Sequence, residues 1–389
     1  MSEWREVTLN DITELVIDYR GKTPLKLGGE WSSSGYRALS AKNVKTGKIV
    51  AEESIRYVDE NLYKKWMKEE VQRNDILITS EAPLGEVFFW NSDEKIVLSQ
   101  RLFDVRIKKG VCPQYVFYYM TSYPFQAELQ SRASGTTVLG IKQPELLKTK
   151  IILPNYDTQV KIANQLAEID SKINCNLKIC TNLEAQAQAL FKNWFIDFTP
   201  FKDGQFVESE LGMIPEGWKD GVLGDIAKFK RGKTITKADT TEGSIPVVAG
   251  GLEPAYFHCK SNTSSRVITV SGSGANAGFT KMYYVPVWAS DCSFVDNHST
   301  HHLHTAYCYL LTNKKKVDAL QWGAAQPHVY AKDLNKLPFA IAPLAILDAF
   351  EDLVSKIFDY IDIKTKEIDY LSTLRDTLLP KLMSGQIKI

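Results

Sequence analysis

The stretch Trp4-Arg-Glu-Val-Thr-Leu9-Asn-Asp11-Ile12 is written a second time as Trp218-Lys-Asp-Gly-Val-Leu223-Gly-Asp225-Ile226, 214 positions further on. Working outward, Arg20-Gly21-Lys22-Thr23 returns as Arg231-Gly232-Lys233-Thr234, and the strand-like Asp75-Ile-Leu-Ile-Thr-Ser80 has a counterpart in Arg266-Val-Ile-Thr-Val-Ser271. Tyr118-Tyr119-Met120 matches Tyr309-Leu310-Leu311, residues 135–146 align with 323–334, and Leu153-Pro154 with Ala342-Pro343. The shift falls to about 188 by the end, so the first copy carries the longer loops. A solenoid repeats every 20–50 residues or so; a period this long means a duplicated domain. Positions that read as core recur while loops differ, as expected of one scaffold with two sets of functional loops.

After each Pro the pattern changes to a helical one. Ile162, Leu166, Ile169, Ile173, Asn176, Cys180, Leu183, Ala187, Leu190 and Trp194 fall on the a and d positions of a heptad. Adding 188 to each gives Phe350, Val354, Ile357, Ile361, Lys364, Ile368, Leu371, Arg375, Leu378 and Leu382. Apolar residues at a 3.5-residue period are the seam of a coiled coil. Matching register, with polar interruptions (Asn176, Lys364, Arg375) late in both, predicts that the two helices pair with each other. Two copies of one domain-plus-helix unit pair most simply about a two-fold axis, so the pair is expected to be antiparallel. The bland alternative is two amphipathic helices, each packed on its own domain.

Between the first helix and the second copy, the Gly, Pro and charged residues from Phe198 to Trp218 read as a linker. The expected partition is therefore a domain at 1–155, a helix at 156–198, a linker at 199–213, a second domain at 214–343 and a second helix at 344–389. Within each domain, β-branched and aromatic runs alternate with short helical patches such as 115–130. The fold class is α/β in the mixed α+β sense.

Composition excludes several classes of function. No run of about 20 apolar residues exists, so no membrane-spanning segment is expected. The start Met1-Ser2-Glu3-Trp4 lacks the basic-then-apolar pattern of a signal peptide. The six cysteines have irregular spacing and no C-x-x-C pair, which suits a reducing cytoplasm and offers neither a disulfide framework nor a zinc site. The formal net charge is +1, but basic side chains outnumber acidic ones 22 to 20 in 1–155 and 14 to 10 in 214–343, while both helical segments are acidic. Local positive potential of this kind is compatible with a nucleic-acid partner. Gly21-Lys22-Thr23 and Gly232-Lys233-Thr234 end like a P-loop, but Val16 and Ala227 stand where its first Gly is required. Gly272-Ser-Gly274-Ala-Asn-Ala-Gly278 is one residue off the dinucleotide fingerprint. His298, His301, His302 and His304 are the one metal-like cluster; without further Cys or carboxylate support the segment reads better as a polar strand or loop touching DNA. No Pro-Pro pair occurs, so the Pro-rich catalytic loop of adenine methyltransferases is missing.

The whole layout resembles the specificity subunits of Type I restriction–modification systems. The specific resemblance lies in Leu190-Phe-Lys-Asn-Trp-Phe-Ile-Asp-Phe198, Glu210-Leu-Gly-Met-Ile-Pro-Glu-Gly-Trp218 and Leu374-Arg-Asp-Thr-Leu-Leu-Pro-Lys-Leu-Met-Ser-Gly-Gln-Ile387. The resemblance implies a non-catalytic subunit of a DNA adenine methyltransferase and Type I endonuclease complex. Its two target-recognition domains would each read one half of a bipartite site in double-stranded DNA. The paired helices would act as spacer and as docking surface for two methyltransferase (modification) subunits, with restriction subunits joining in the full complex. No cofactor is expected on this chain; S-adenosylmethionine belongs to the modification partner, and ATP and Mg to the restriction partner. The competing reading is a coiled-coil scaffold with protein-binding heads and no DNA readout.

Candidate DNA-contacting residues follow from side-chain chemistry. Arg20, Lys22 and Thr23, and their repeats Arg231, Lys233 and Thr234, suit phosphate oxygens; the alternative is a solvated turn with Gly at positive φ. Gln100, Arg101, Thr136, Thr137, Ser273, Asn276, Gln326 and His328 sit in loops and are of the types that reach base edges. The expected helix interface comprises Ile162, Leu166, Ile169, Ile173, Leu183 and Leu190 with Val354, Ile357, Ile361, Ile368, Leu371 and Leu378. No metal ligand is assigned.

Overall fold

The computed structural model describes residues 4–323, 327–387 and 389. The chain forms two compact units, one of residues 1–173 with 369–389 and one of residues 174–368. Each unit therefore takes a portion of both long helices, where the sequence alone had separated heads from helices.

In the first unit the central strand Asp75–Ser80 is buried along its whole length. Its side chains alternate between two cores: Ile76 and Ile78 join the cluster that includes the helices, and Leu77 joins a second cluster around Trp66, Leu39 and Leu98. A sheet covered on both faces needs a continuous apolar run, which is why Ile-Leu-Ile reads without polar alternation. This strand lies between Leu102–Ile107 and Leu84–Trp90, with Thr13–Asp18 at the far edge, all antiparallel. A second sheet sets Tyr36–Leu39 parallel to Ile96–Leu98 and antiparallel to Arg56–Val58. Arg5–Thr8 pairs with Lys150–Leu153 and closes the unit near its ends in sequence. The helical patch expected at 115–130 is two helices, Pro113–Thr121 and Tyr123–Ser131, separated at Ser122 just before Pro124.

The second unit repeats the topology of these three sheets. Val267–Ser271 lies between Cys292–Asp296 and Thr280–Tyr283, with Lys230–Arg231 at the edge. Ile245–Val248 runs parallel to Trp288–Ala289 and antiparallel to Tyr256–His258. Lys219–Val222 pairs with Pro338–Ile341. The linker is more ordered than its composition implies, because Phe206–Ser209 and Gly212–Pro215 form a hairpin. Phe198 and Phe201 each lie 5.3 Å from the Trp218 ring, so the aromatic residues flanking the hairpin fasten it to this unit.

The long helices span Tyr156–Phe195 and Leu344–Met383. The first stops where Phe198 adopts a left-handed conformation ahead of Pro200. In the first unit Ile162 and Leu166 share a core with Leu382 and Met383, and Arg375 Nη1 donates to Asp170 Oδ1 at 2.9 Å. In the second unit Cys180 meets the Ile361 carbonyl, and the Trp194 and Phe350 rings are 5.4 Å apart. Numbers rise along one helix as they fall along the other, so the pairing within each unit is antiparallel. Phe191, Phe195 and Phe358, all off the assigned seam, are also buried here. They turn what the heptad reads as a two-helix seam into a core shared with the sheet.

Candidate nucleic-acid interface

Four loops of the first unit meet beside the C-terminal end of Asp75–Ser80. Residues 134–140 form a small hairpin in which Ser134 and Gly140 exchange both backbone hydrogen bonds, at 2.8 and 2.9 Å. Gly135 has φ 126°, and a Cβ there would lie 2.2 Å from the Val138 carbonyl oxygen, so the turn requires glycine. The hairpin is tied to the strand end, because Ile141 N donates to Ser80 O at 2.9 Å, and Ser80 N in turn donates to Arg101 O at 2.8 Å. Arg101 has φ 64° and points its Nε at Glu81 Oε1, 3.1 Å away, with half of its side chain in solvent. Gln100 beside it is exposed, as are Thr136 and Thr137 at the hairpin tip. The structure thus brings Gln100, Arg101, Thr136 and Thr137 to one rim.

Arg20 reaches that rim from behind, while Lys22 braces the loop that carries both. The Arg20 guanidinium donates to both oxygens of Asp18 at 2.8 Å, to the Ile141 carbonyl at 3.3 Å, and lies 3.9 Å over the Phe103 ring. Lys22 Nζ donates to the Trp66 carbonyl and sits 3.6 Å over the Tyr19 ring; burial lowers its pKa. Both cations are spent on holding the loop and the hairpin in place. Thr23 Oγ1 accepts from Lys26 N at 3.3 Å.

The same tetrapeptide is used differently in the second unit. Arg231 is exposed and makes no ion pair among the described residues, and Lys233 and Thr234 are exposed as well. Gly232 N donates to Cys292 O and Lys233 N to Ala289 O, which lays this loop flat against the neighbouring strand. Neither Gly21 nor Gly232 has positive φ, so the left-handed turn weighed for this motif is absent from both copies.

The hairpin recurs with its frame intact. Trp322 and His328 exchange backbone hydrogen bonds at 3.0 and 2.8 Å, Gly323 has φ 97°, and Val329 N donates to Gly272 O at 3.0 Å. Gly272 N donates to Asp291 O, matching Ser80 to Arg101. Where the first unit pairs Glu81 with Arg101, the second has Ser273 Oγ donating to Asp291 Oδ2. A donor-rich cation in one copy is thus replaced by an acceptor in the other, on the same backbone. Beside this lies a depression of about 520 Å³ lined by Arg231, Asp291, Ser293, His328, Tyr330 and Lys332 among others. Asn276 is half-buried in a short turn, with its carbonyl accepting from Phe279 N. Gln326 lies outside the described residues.

Two of the four histidines of the segment, His302 and His304, are held by carboxylates. His302 Nε2 is 2.9 Å from Asp348 Oδ1, and His304 Nδ1 is 2.7 Å from Glu351 Oε1, both carboxylates belonging to the second long helix. Glu351 also accepts from His304 N, Thr305 N and the Thr305 hydroxyl, capping the helix Leu303–Thr312. Burial alone would raise the Glu351 carboxyl, but the His304 ring and the Thr305 hydroxyl hold it below its ordinary value.

The profile described as Type I restriction modification DNA specificity domain matches residues 1–185 and again 215–373. The chain belongs to that family. The specificity domain occurs twice, in agreement with the two matching topologies. One relative, the Type I restriction enzyme MjaIX specificity subunit of Methanocaldococcus jannaschii, is 27% identical over 100% of this chain and 94% of its own length. Another, the Type I restriction enzyme HindI specificity subunit of Haemophilus influenzae, is 22% identical with both chains fully covered. Among solved structures, the Type I restriction–modification S subunit from M. genitalium superposes with TM-score 0.59 at 18% identity, covering 98% of this chain and 96% of that one, a likeness of fold. Among the described residues no helix is long and apolar enough to cross a membrane.

Sequence reasoning missed four residues of the specificity-domain rims: Glu81, Asp291, Trp322 and Tyr330. Tyr330 lies inside the aligned segment, and Trp322 immediately precedes it. An exposed Trp or Tyr in a segment that is otherwise loop was the available signal.

Proposed function

We propose that this chain is the DNA-reading subunit of a Type I restriction–modification assembly, each unit reading one half of a split target in double-stranded DNA. The observation that carries this reading is the pair of matching rims: identical backbone hydrogen bonds hold different side chains at equivalent positions. A conserved protein-binding head would need no such divergence, which disfavours the scaffold alternative. In the first unit Gln100, Arg101, Thr136 and Thr137 face base edges, Thr23 faces the backbone phosphates, and Arg20 and Lys22 position the loops behind them. In the second, Arg231, Lys233 and Thr234 meet phosphates, and Ser273, Asn276 and His328 lie nearest the bases. The paired helices carry two modification subunits, which supply the methyl transfer with S-adenosylmethionine; restriction subunits bring ATP and Mg. No catalytic step falls to this chain, and its place is the cytoplasm, where the DNA is.

The test is an exchange of residues 1–150 for the matching segment of a relative, with the methylated motif read by sequencing the modified DNA. One half of the motif should change and the other stay. A change in both halves overturns the reading of one half-site per unit.

A further inference from the structure

Resting on the DNA-reading role above, we propose that the depression of the second unit receives a single nucleobase turned out of the duplex at the second half-site. Three observations converge on it. First, its volume, about 520 Å³, is in the range of small-ligand sites, on a surface otherwise built of loops. Second, one wall is a flat aromatic pair: the His328 and Tyr330 rings are stacked, with centroids 5.9 Å apart and planes 7° apart, and Tyr330 is 42% exposed. A base stacks on such a face whatever its identity. Third, the polar groups are arranged for a nucleotide. Arg231 has no ion pair among the described residues, and Lys332 lies 5.5 Å over the Tyr330 ring; both are placed to meet a flanking phosphate. Asp291 accepts from Ser273 through Oδ2, which leaves Oδ1 without a donor among the described residues. A free carboxylate oxygen favours a base with an exocyclic amine (adenine, cytosine or guanine) over thymine.

The first unit supplies an internal control. At the backbone positions equivalent to Asp291, His328, Tyr330 and Lys332 stand Arg101, Gly140, Lys142 and Pro144. None of these four side chains is an aromatic ring or an acceptor, the one carboxylate described on that rim, Glu81, is paired with Arg101, and Arg20 is turned inward. The base pocket is therefore a property of the second half-site alone. Trp322 stands directly across the hairpin from His328 and is 67% exposed, an apolar plane free to enter the gap that an extruded base leaves in the stack.

Turning out a base costs less where its pairing is already lost. The experiment uses the full chain assembled with its modification subunits, and duplexes of its own methylated motif. Each base of the second half-site is in turn given an abasic site as its partner on the opposite strand. Wild type should bind tighter by several-fold at one position besides the methylated adenine. Tyr330→Ala should weaken binding to the intact target by about tenfold, the loss expected for one stacked base, and should abolish that gain; Tyr330→Phe should restore both. Asp291→Asn should relax the preference for an amine-bearing base at the same position. Unchanged non-cognate binding and thermal midpoint show that the variants fold. If Tyr330→Ala binds the intact motif as wild type does, or no second position responds to the abasic partner, the base pocket is refuted. If wild type shows no preference for its motif, it is the DNA-reading role that fails.

Discussion

Gly21 and Gly232 hold the same place in a repeated tetrapeptide, yet a Cβ meets nothing within 4 Å at the first and lies 2.4 Å from the Ser290 carbonyl oxygen at the second. Backbone cannot yield as a flexible side chain does, so Gly232→Ala should destabilise the protein by about 1–3 kcal/mol. Gly21→Ala should change it by no more than about 0.5 kcal/mol; urea unfolding of both variants checks the contrast. Asp104 makes a second residue-scale case. It is fully buried, and burial, with the Asp75 carboxylate next, pushes its pKa well above the ordinary value. A carboxyl whose folded pKa is raised adds stability below its unfolded pKa, near 3.9, and loses it as pH climbs toward the folded value. Asp104→Asn should remove that decline, so its urea midpoint gains on wild type between about pH 4.5 and pH 7. An equal pH slope in the two proteins would show that Asp104 is charged in the folded state. The tetrapeptides were legible as a repeat, but not their opposite uses. Only packing decides that Arg20 turns inward onto Asp18 and Phe103 while Arg231 is exposed and makes no ion pair among the described residues.

At the scale of elements, periodicity located both long helices within a few residues of their ends, since forty residues of heptad leave little ambiguity. It did not reveal that Phe191, Phe195 and Phe358 are core, because a seam of period 3.5 describes contact with one neighbouring helix and these rings also face a sheet. Strands Asp75–Ser80 and Val267–Ser271 were visible as apolar runs, whereas the pairing order depends on long-range register that propensity does not encode. The histidine segment shows the limit from another side. Read locally it is a polar loop, yet His302 and His304 are fixed by Asp348 and Glu351, more than forty positions away. Glu351→Ala strips four hydrogen bonds from the start of Leu303–Thr312 and leaves buried donors unpaired, a loss of about 3–5 kcal/mol. Chemical denaturation should register it, with the helical signal of the second unit melting first. Retention of wild-type stability would mean that the carboxylate caps nothing.

At the scale of the whole molecule, the duplication makes one part replaceable by another. In the first unit Ile162 and Leu166 are covered by Leu378 and Leu382, whose repeat equivalents are Leu190 and Trp194. A fragment ending at Ser209 loses the former but carries the latter, so a second copy can supply the cover, and leaving the seam in water is costly. Sedimentation should find a dimer at micromolar concentration. With modification subunits it should methylate an inverted repeat of the first half-site. A stable monomer would show that the two helices are not interchangeable.

The Trp4 ring lies about where a side chain on Gly385 would be, 2.9 Å from the ideal Cβ position. Trp4 and Gly385 are thus neighbours within one unit, and the hairpin at 206–215 turns at exposed Glu210 and Leu211. A short linker joining Trp4 to Gly385 would close residues 4–385 into a ring, and a cut at that turn would reopen it elsewhere. Such a rearranged gene product, its second half now translated first, should keep the same target. For this architecture, order of synthesis and order of reading are separate matters.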